Sequence, residues 1–462
     1  MSAITRWNRR EFLARTAGGL AGALAAHGQS SARRPNILFI LADDLGYGDV
    51  GVYGQKVIPT PNIDRIAAEG TRFTQAYAGS AVCAPSRCAL MTGYHTGHAR
   101  IRGNLRVPLE SSDITVAKVL KDAGYRTGIV GKWGLGNPYS PGIPNLQGFD
   151  DWFGFLDQGY AHTYYPQSLW DNKEERIIAG NLGTRKVWVQ DLFTQRALNF
   201  LDHRQTNPFF LYLAFTSPHA NDELGNDTND GMEVPDDEPY HQRPWPQVEK
   251  NFASMVTRLD RDVGRVLDQL KKTGQEDNTL VIFASDNGPH KEGGHDPTFF
   301  HRGGPLRGIK RDLYEGGIRV PMLARWPGVI QPGSLNDQVW AFWDFLPTAA
   351  ELAGATPPKG VDGISMAPTL LGRPQRNHQY LYWEFHERGF SQAVRIGDWK
   401  GVRTGVGAPL ELYDLHTDLA ETTNVASAHL DVVARMEEIL KSARVDSKEF
   451  PIHALPAPRP PR

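Results

Sequence analysis

The sequence predicts an α/β protein: a large sheet flanked by helices, followed by a small antiparallel sheet with a helix. Three observations predict it. Continuous apolar runs of strand length lie at 36–42, 127–130, 208–215 and 279–284, as expected of strands covered on both faces of a largely parallel sheet. Helical stretches separate them, among them Thr115 capping a helix that runs to about 124, and an amphipathic run within 248–272. From about Gln375 the pattern changes to short alternating segments at 380–385, 393–396, 399–402 and 411–415, then a helix near 430–443. The boundaries that follow are a leading segment 1–33, a main domain 34–375 and a small α+β domain 376–462 with a Pro-rich disordered tail. There is no internal repeat.

Composition narrows the function classes. A chain of 462 residues with 40% hydrophobic and 22% charged residues has the material for a sizeable core. Its formal net charge of −2 gives no reason to expect a nucleic-acid partner. The two cysteines, Cys83 and Cys88, form no disulfide framework, which leaves one of them free to carry chemistry.

The first 30 residues read as an address. Arg9-Arg10-Glu11-Phe12-Leu13 precedes a small apolar run from Ala17 to Ala26 that contains an A-x-A pattern, Ala23-Leu24-Ala25. That is the form of a twin-arginine export signal, too short to span a membrane. No Cys lies near the cleavage pattern, so no lipid anchor is expected. The expectation is an exported, periplasmic or extracellular protein that passes through the twin-arginine machinery already folded.

The first strand ends in Asp43-Asp44, and the strand at 279–284 ends in Ser285-Asp286-Asn287-Gly288. Carboxyl ends of parallel strands are where α/β folds bind ligands, and an all-oxygen set suits a hard cation. An Asp-rich turn before Gly46 is the plainer reading of the first pair. Cys83-Ala84-Pro85-Ser86-Arg87 reads as the mouth of a helix, with Pro tolerated in the first turn and good helix formers following. Its free N–H groups and dipole suit an anion. Gly131-Lys132-Trp133 follows the strand at 127–130 and is no phosphate loop, since Trp follows the Lys. His95 and His98 allow a zinc pair or a loop beside the substrate. His290, His295 and His301 allow zinc or a substrate wall, and their spacing fits no structural zinc pattern. The Asp-rich loop at 220–246 is long enough to be functional, and its 226–237 stretch lacks the closing Glu of an EF-hand.

Taken as a set, the motifs resemble the type I, formylglycine-dependent sulfatases. Cys83 to Gly93, CAPSRCALMTG, is similar to that family's C-x-P-x-R signature. Pro61 to Ala67 matches its T-P-N-I-D helix, Gly131-Lys132-Trp133 its G-K-W-H-L-G motif, Ser217-Pro218-His219 its S/T-P-H motif, and Asp286-Asn287-Gly288 its D-N-G. Leu306 to Lys310 and Tyr314 to Pro321 resemble its second signature. The resemblance covers about residues 35–450.

The resemblance implies an alkaline-phosphatase-like fold with a large mixed sheet, and a sulfuric ester hydrolase. It implies that Cys83 is converted to formylglycine by a formylglycine-generating or other sulfatase-maturing enzyme. It assigns one calcium ion to Asp43, Asp44, Asp286, Asn287 and modified Cys83, the sulfate to Arg87, Lys132 and Lys310, and leaving-group protonation to His219. His162, His290, Arg307 and Arg102 are expected to line the substrate. One position departs from the pattern: Gly134 stands where many members carry a His that assists sulfate release. A sulfated carbohydrate or an aryl sulfate is the expected substrate, with sugars favoured by the long loops and numerous Trp, Tyr and His. Two rival readings stand beside this one: a phosphodiesterase or phosphonate monoester hydrolase of the same superfamily, and an inactive binder of sulfated glycans.

Overall fold

The computed structural model describes residues 34–203, 206–387 and 389–452. The leading segment and the Pro-rich tail expected from sequence lie outside the described residues. In chain order the strands are β1 (Asn36–Ala42), β2 (Thr71–Phe73), β3 (Ala76–Tyr77), β4 (Arg126–Lys132), β5 (Asp151–Phe155), β6 (Ser168–Asp171), β7 (Glu174–Ile177) and β8 (Phe209–Ala214). They continue with β9 (Thr279–Ser285), β10 (Met322–Arg325), β11 (Ser334–Asn336), β12 (Trp340–Ala341), β13 (Leu381–Phe385), β14 (Ser391–Ile396), β15 (Trp399–Arg403) and β16 (Glu411–Asp414). The helices that matter here are α1 (Pro61–Ala68), α2 (Cys83–Thr92), α3 (Val116–Asp122), α4 (Val189–Asp202), α5 (Asp222–Thr228), α6 (Gln247–Lys272), α7 (Glu315–Ile318), α8 (Phe345–Leu352), α9 (Ala367–Leu370) and α10 (Leu430–Ser442).

Among the described residues, ten strands form a mixed sheet in the order β11-β2-β10-β9-β1-β8-β4-β5-β6-β7. The four apolar runs read from sequence are its centre: β9, β1, β8, β4 and then β5 run parallel, while β6, β7, β10 and β2 add antiparallel edges. Alternation along β1 divides the core. Ile37, Phe39 and Leu41 join α2, α3 and α8 on one face; Leu38, Ile40 and Ala42 join α1, α4 and α6 on the other. Both faces are therefore dry, which is why the runs are apolar throughout rather than alternating. Thr115 caps α3 by accepting from the Lys118 N–H at 3.2 Å, as its position predicts.

Parallel strands bring their carboxyl ends to one edge. The segments that follow β1, β4, β5, β8 and β9 therefore meet there: Asp43-Asp44, Lys132 to Gly134, Leu156 to His162, Thr216 to His219, and Asp286-Asn287. Close approach of strands at that edge is built in at Gly131 (φ +110°), where a Cβ would collide with the Ala214 carbonyl oxygen.

Beside a two-stranded parallel pair, β12-β3, a small sheet β13-β14-β15-β16 is antiparallel throughout and is backed by α10 through Met436 and Leu440. It joins the large sheet through apolar and ionic contacts alike. Trp383 packs against Tyr77 and Trp343, and its indole N–H donates to Ala78 O at 3.0 Å. Beneath lies a buried charge cluster: Glu315 of α7 receives Lys400 Nζ at 2.8 Å and Arg319 at 3.1 Å, and Lys400 also meets Glu421 at 3.3 Å. Among the described residues, no helix is long and apolar enough to cross a membrane.

Candidate active site

Cys83 opens α2 and is buried at its first position. One of the free N–H groups of that helix end, at Ala84, donates to Asn104 Oδ1 at 3.1 Å. Burial, then the nearby Asp43 charge, pushes the Cys83 thiol well above its usual range. A thiol held neutral is a poor nucleophile. Burial likewise pushes Cys88 up to about 12, and Cys88 lies in the apolar core on the other side of the helix.

Around Cys83 stand the two strand-end pairs, Asp43-Asp44 and Asp286-Asn287. Asp44 takes a left-handed backbone (φ +63°), one of the few non-glycine residues here to do so. Such strain, which Asp tolerates better than most residues, lets adjacent carboxylates serve one centre. Its Oδ1 accepts from Asn287 Nδ2 at 2.6 Å and its Oδ2 from Lys310 Nζ at 2.8 Å. Asp43 Oδ2 accepts from Lys132 Nζ at 2.7 Å. Asp286 Oδ2 is gripped by Arg87 Nε and Nη2 at 3.0 and 2.8 Å, and its Oδ1 accepts from the Asp44 N–H at 3.1 Å.

The electrostatics are those of an acid cluster only partly balanced. Burial alone would raise Asp43; Lys132 and Arg87 outweigh it and hold the carboxyl well below the usual range. For Asp286, burial and the Asp43 charge win over Arg87 and raise it to about 7. Burial would lower Lys132 and Lys310, but Asp43 beside the first and Asp44 beside the second keep both raised and charged.

Two buried oxygens, Asp43 Oδ1 and Asn287 Oδ1, accept nothing from the described residues. A buried acceptor without a partner is costly, and hard oxygen atoms beside an under-compensated acid cluster fit a divalent cation of the calcium type. Of the five residues expected as ligands, Asp43 and Asn287 each keep a free oxygen, while both carboxylate oxygens of Asp44 and of Asp286 accept from neighbouring groups and Cys83 lies beside them. Ligand atoms of Asp43, Asp44, Cys83 and His219 all lie within 4.8 Å of one another.

His219 follows β8 and is buried beside Lys310. Its Nδ1 faces the Ala220 carbonyl oxygen at 2.6 Å, which can only accept, so Nδ1 carries the proton. Nε2 then accepts from Lys310 Nζ at 3.0 Å, with Asp44 Oδ2 at 3.3 Å. Burial, followed by Lys310 and His162, drives its pKa well down. The His162 ring stacks on His219 with centroids 4.1 Å apart and pairs through Nδ1 with Asp222 at 3.2 Å; its buried Nε2 has no hydrogen-bond partner among the described residues.

Three expected substrate-lining residues are placed otherwise. Arg102 is buried against the small sheet, donating to Glu384 at 2.7 Å and to Val445 O at 2.8 Å. Arg307 donates to Tyr413 Oη at 3.0 Å and Glu421 O at 2.7 Å, and lies over the Tyr314 ring. Both guanidiniums hold the small sheet. His290 accepts from the Glu292 N–H at 3.1 Å and donates through Nε2 to Pro218 O at 3.1 Å, so both ring nitrogens are engaged, one of them on the His219 loop. His95 and His98 pair with Asp362, at 3.5 and 2.9 Å, and pack among Trp343 and Tyr382.

Sequence reasoning missed three residues. Glu292 accepts from Lys310 Nζ at 2.8 Å and pairs with Arg311. Arg302, fully buried, donates to the Asp44 carbonyl at 2.7 Å and pairs with Asp49 at 2.9 Å. Gln158 lies against Gly134. For Glu292, the lysine motif 18 residues downstream gave no hint of a partner; for Arg302, its partner lies 253 positions away.

Fold and site together define an α/β protein in which acidic, amide, lysine and cysteine side chains converge at the carboxyl edge of a large mixed sheet. The chain belongs to the sulfatase family, whose model matches residues 35–355, and is a sulfuric ester hydrolase. The C-terminal model of N-sulphoglucosamine sulphohydrolase matches residues 309–446. The chain is 30% identical to N-acetylgalactosamine-6-O-sulfatase of Bacteroides thetaiotaomicron, over 90% of this chain and 94% of the relative. It is 33% identical to human arylsulfatase A, over 92% of this chain and 90% of the relative. Its structure is similar to that of Ps i-CgsB in complex with k-i-k-neocarrahexaose, with TM-score 0.78 and 31% identity over 91% of this chain and 95% of that one.

Proposed function

We propose that this enzyme hydrolyses sulfate monoesters of carbohydrates with a formylglycine at position 83 and one calcium ion. One observation carries the reading: Cys83, two acid-paired lysines and oxygens of Asp43, Asp44, Asp286 and Asn287 converge at the carboxyl edge of the sheet. Formylglycine would supply a hydroxyl nucleophile, and calcium the positive charge that lowers that hydroxyl's pKa.

The protein's own residues do the rest. Lys132 and Lys310 hold positive charge where the sulfate oxygens arrive, the fixed electrostatic complement that lowers the barrier. Arg87 spends its named donors on Asp286 and the Lys132 carbonyl, so it acts by positioning a ligand and a lysine. His219 and Lys310 share a hydrogen bond, and this pair is the proton source for the departing alcohol. The preference for sugars is supported by relatives named for N-acetylgalactosamine 6-sulfate and by the oligosaccharide bound to Ps i-CgsB. Maturation of Cys83 before twin-arginine export, directed by Arg9-Arg10, belongs to the same proposal.

Turnover of p-nitrophenyl sulfate against bis-p-nitrophenyl phosphate tests the reading. The sulfate ester is expected to be the better substrate; preferential cleavage of the phosphodiester would point to the phosphoester-hydrolysing branch of the superfamily instead.

A further inference from the structure

Gly134 leaves space beside the catalytic edge, and Gln158 fills it. Gly134 lies two residues beyond Lys132 with φ +75°, and a Cβ built on it would collide with Gln158 Oε1. The Gln158 backbone is fixed on both sides. Leu156 O accepts from the Gly134 N–H at 3.2 Å, and Asp157 Oδ1 caps the following turn by accepting from the Tyr160 N–H at 2.9 Å. That turn ends at His162, whose ring stacks on His219. Gln158 is thus held between the strand end that carries Lys132 and the turn whose His162 stacks on His219.

Both polar atoms of the Gln158 amide are buried and have no partner among the described residues. An amide left so is expensive, and its two ends ask for different things: Oε1 needs a donor and Nε2 an acceptor. Sulfate oxygens only accept, so sulfate satisfies one end at most. A sugar hydroxyl, or two neighbouring ones, satisfies both. The same wall offers His162 Nε2 and Asp222 Oδ1, also buried and unpartnered.

We infer that Gln158 is a specificity-determining residue that binds a hydroxyl of the substrate's sugar, on the leaving-group side of the site. The inference rests on the proposed function above. A neutral amide has no useful proton affinity, so Gln158 occupies the corner vacated at Gly134 without acting as a base there.

The test compares kcat/KM for the best-cleaved member of a panel of galactose and N-acetylgalactosamine 4- and 6-sulfates with kcat/KM for p-nitrophenyl sulfate. Wild type, Gln158→Leu and the near-isosteric Gln158→Glu are each matured at Cys83 and checked by thermal melting. Losing about two neutral hydrogen bonds lowers the sugar-to-aryl ratio by ~5–20-fold in Gln158→Leu, carried mainly by KM. Gln158→Glu, which keeps the shape and loses the donor, falls between. A ratio within twofold of wild type in folded Gln158→Leu overturns the inference, as does a wild type that cleaves the aryl sulfate and no sugar sulfate. Failure of wild type on every sulfate ester overturns the sulfatase reading of the site itself, a distinguishable result.

Discussion

Replacing His219 by Ala is expected to separate good from poor leaving groups. The imidazole is buried, its Nε2 is 3.0 Å from Lys310 Nζ, and its Nδ1 is fixed on Ala220 O. With its own pKa driven down by burial and by Lys310, it stays neutral unless the lysine passes a proton through it. A sugar alkoxide needs that proton far more than a nitrophenolate does. General acid catalysis contributes typically ~10²–10⁴-fold, which corresponds to about 3–5 kcal/mol of barrier. His219→Ala should therefore lose roughly that factor in kcat/KM on a sulfated monosaccharide. On p-nitrophenyl sulfate the loss should be much smaller. Initial rates of inorganic sulfate release, measured for both substrates on one preparation, give the comparison. Equal losses would refute the reasoning and assign His219 to holding the sulfate or the cation instead.

EDTA should inactivate the enzyme, and calcium should restore it better than zinc, because the orphan acceptors are oxygens; recovery with zinc alone would contradict the ligand argument. Arg87→Leu removes the grip on Asp286 and should weaken calcium binding by roughly 10–100-fold in calorimetry, an effect a surface arginine would not show. Gly134→His should lower the melting temperature, since a Cβ meets Gln158 Oε1 at a positive φ that costs about 1–3 kcal/mol. The double variant with Gln158→Gly should recover part of that loss, and a fully stable single variant would show that the corner has room. Glu315→Leu should destabilise the protein by about 3–5 kcal/mol in denaturant melts by stranding Lys400 and Arg319 in the buried cluster; a change under about 1 kcal/mol would show the cluster relaxes around its loss.

Much of the fold was legible because burial on both faces writes itself into sequence. The stretches 37–42, 129–130, 209–214 and 280–284 are apolar for that reason, and they lie in the four central strands. The polar residues at their ends stand out against them, and Asp43, Asp44, Lys132, His219, Asp286 and Asn287 lie together at one edge of the sheet. Long charged side chains were not legible, because their partners come from distant parts of the chain. Arg102 and Arg307, expected at the substrate, instead reach the small sheet, through Glu384 and Tyr413. The space left by Gly134 was visible as a departure from pattern, but its occupant, Gln158, comes from the segment after the neighbouring strand. Two histidines three apart suggested a loop beside the substrate, and Asp362, 264 residues from His98, claims them.

The central claim is that residue 83 acts as formylglycine, made from a thiol that burial and Asp43 would otherwise hold neutral and inert. Peptide mass spectrometry of active enzyme tests it most directly, with fractional modification followed against specific activity across preparations. The account predicts that the peptide spanning Cys83 carries the mass of the aldehyde, that activity scales with that fraction, and that Cys88 remains a thiol. An unmodified thiol at Cys83 in fully active protein would contradict it.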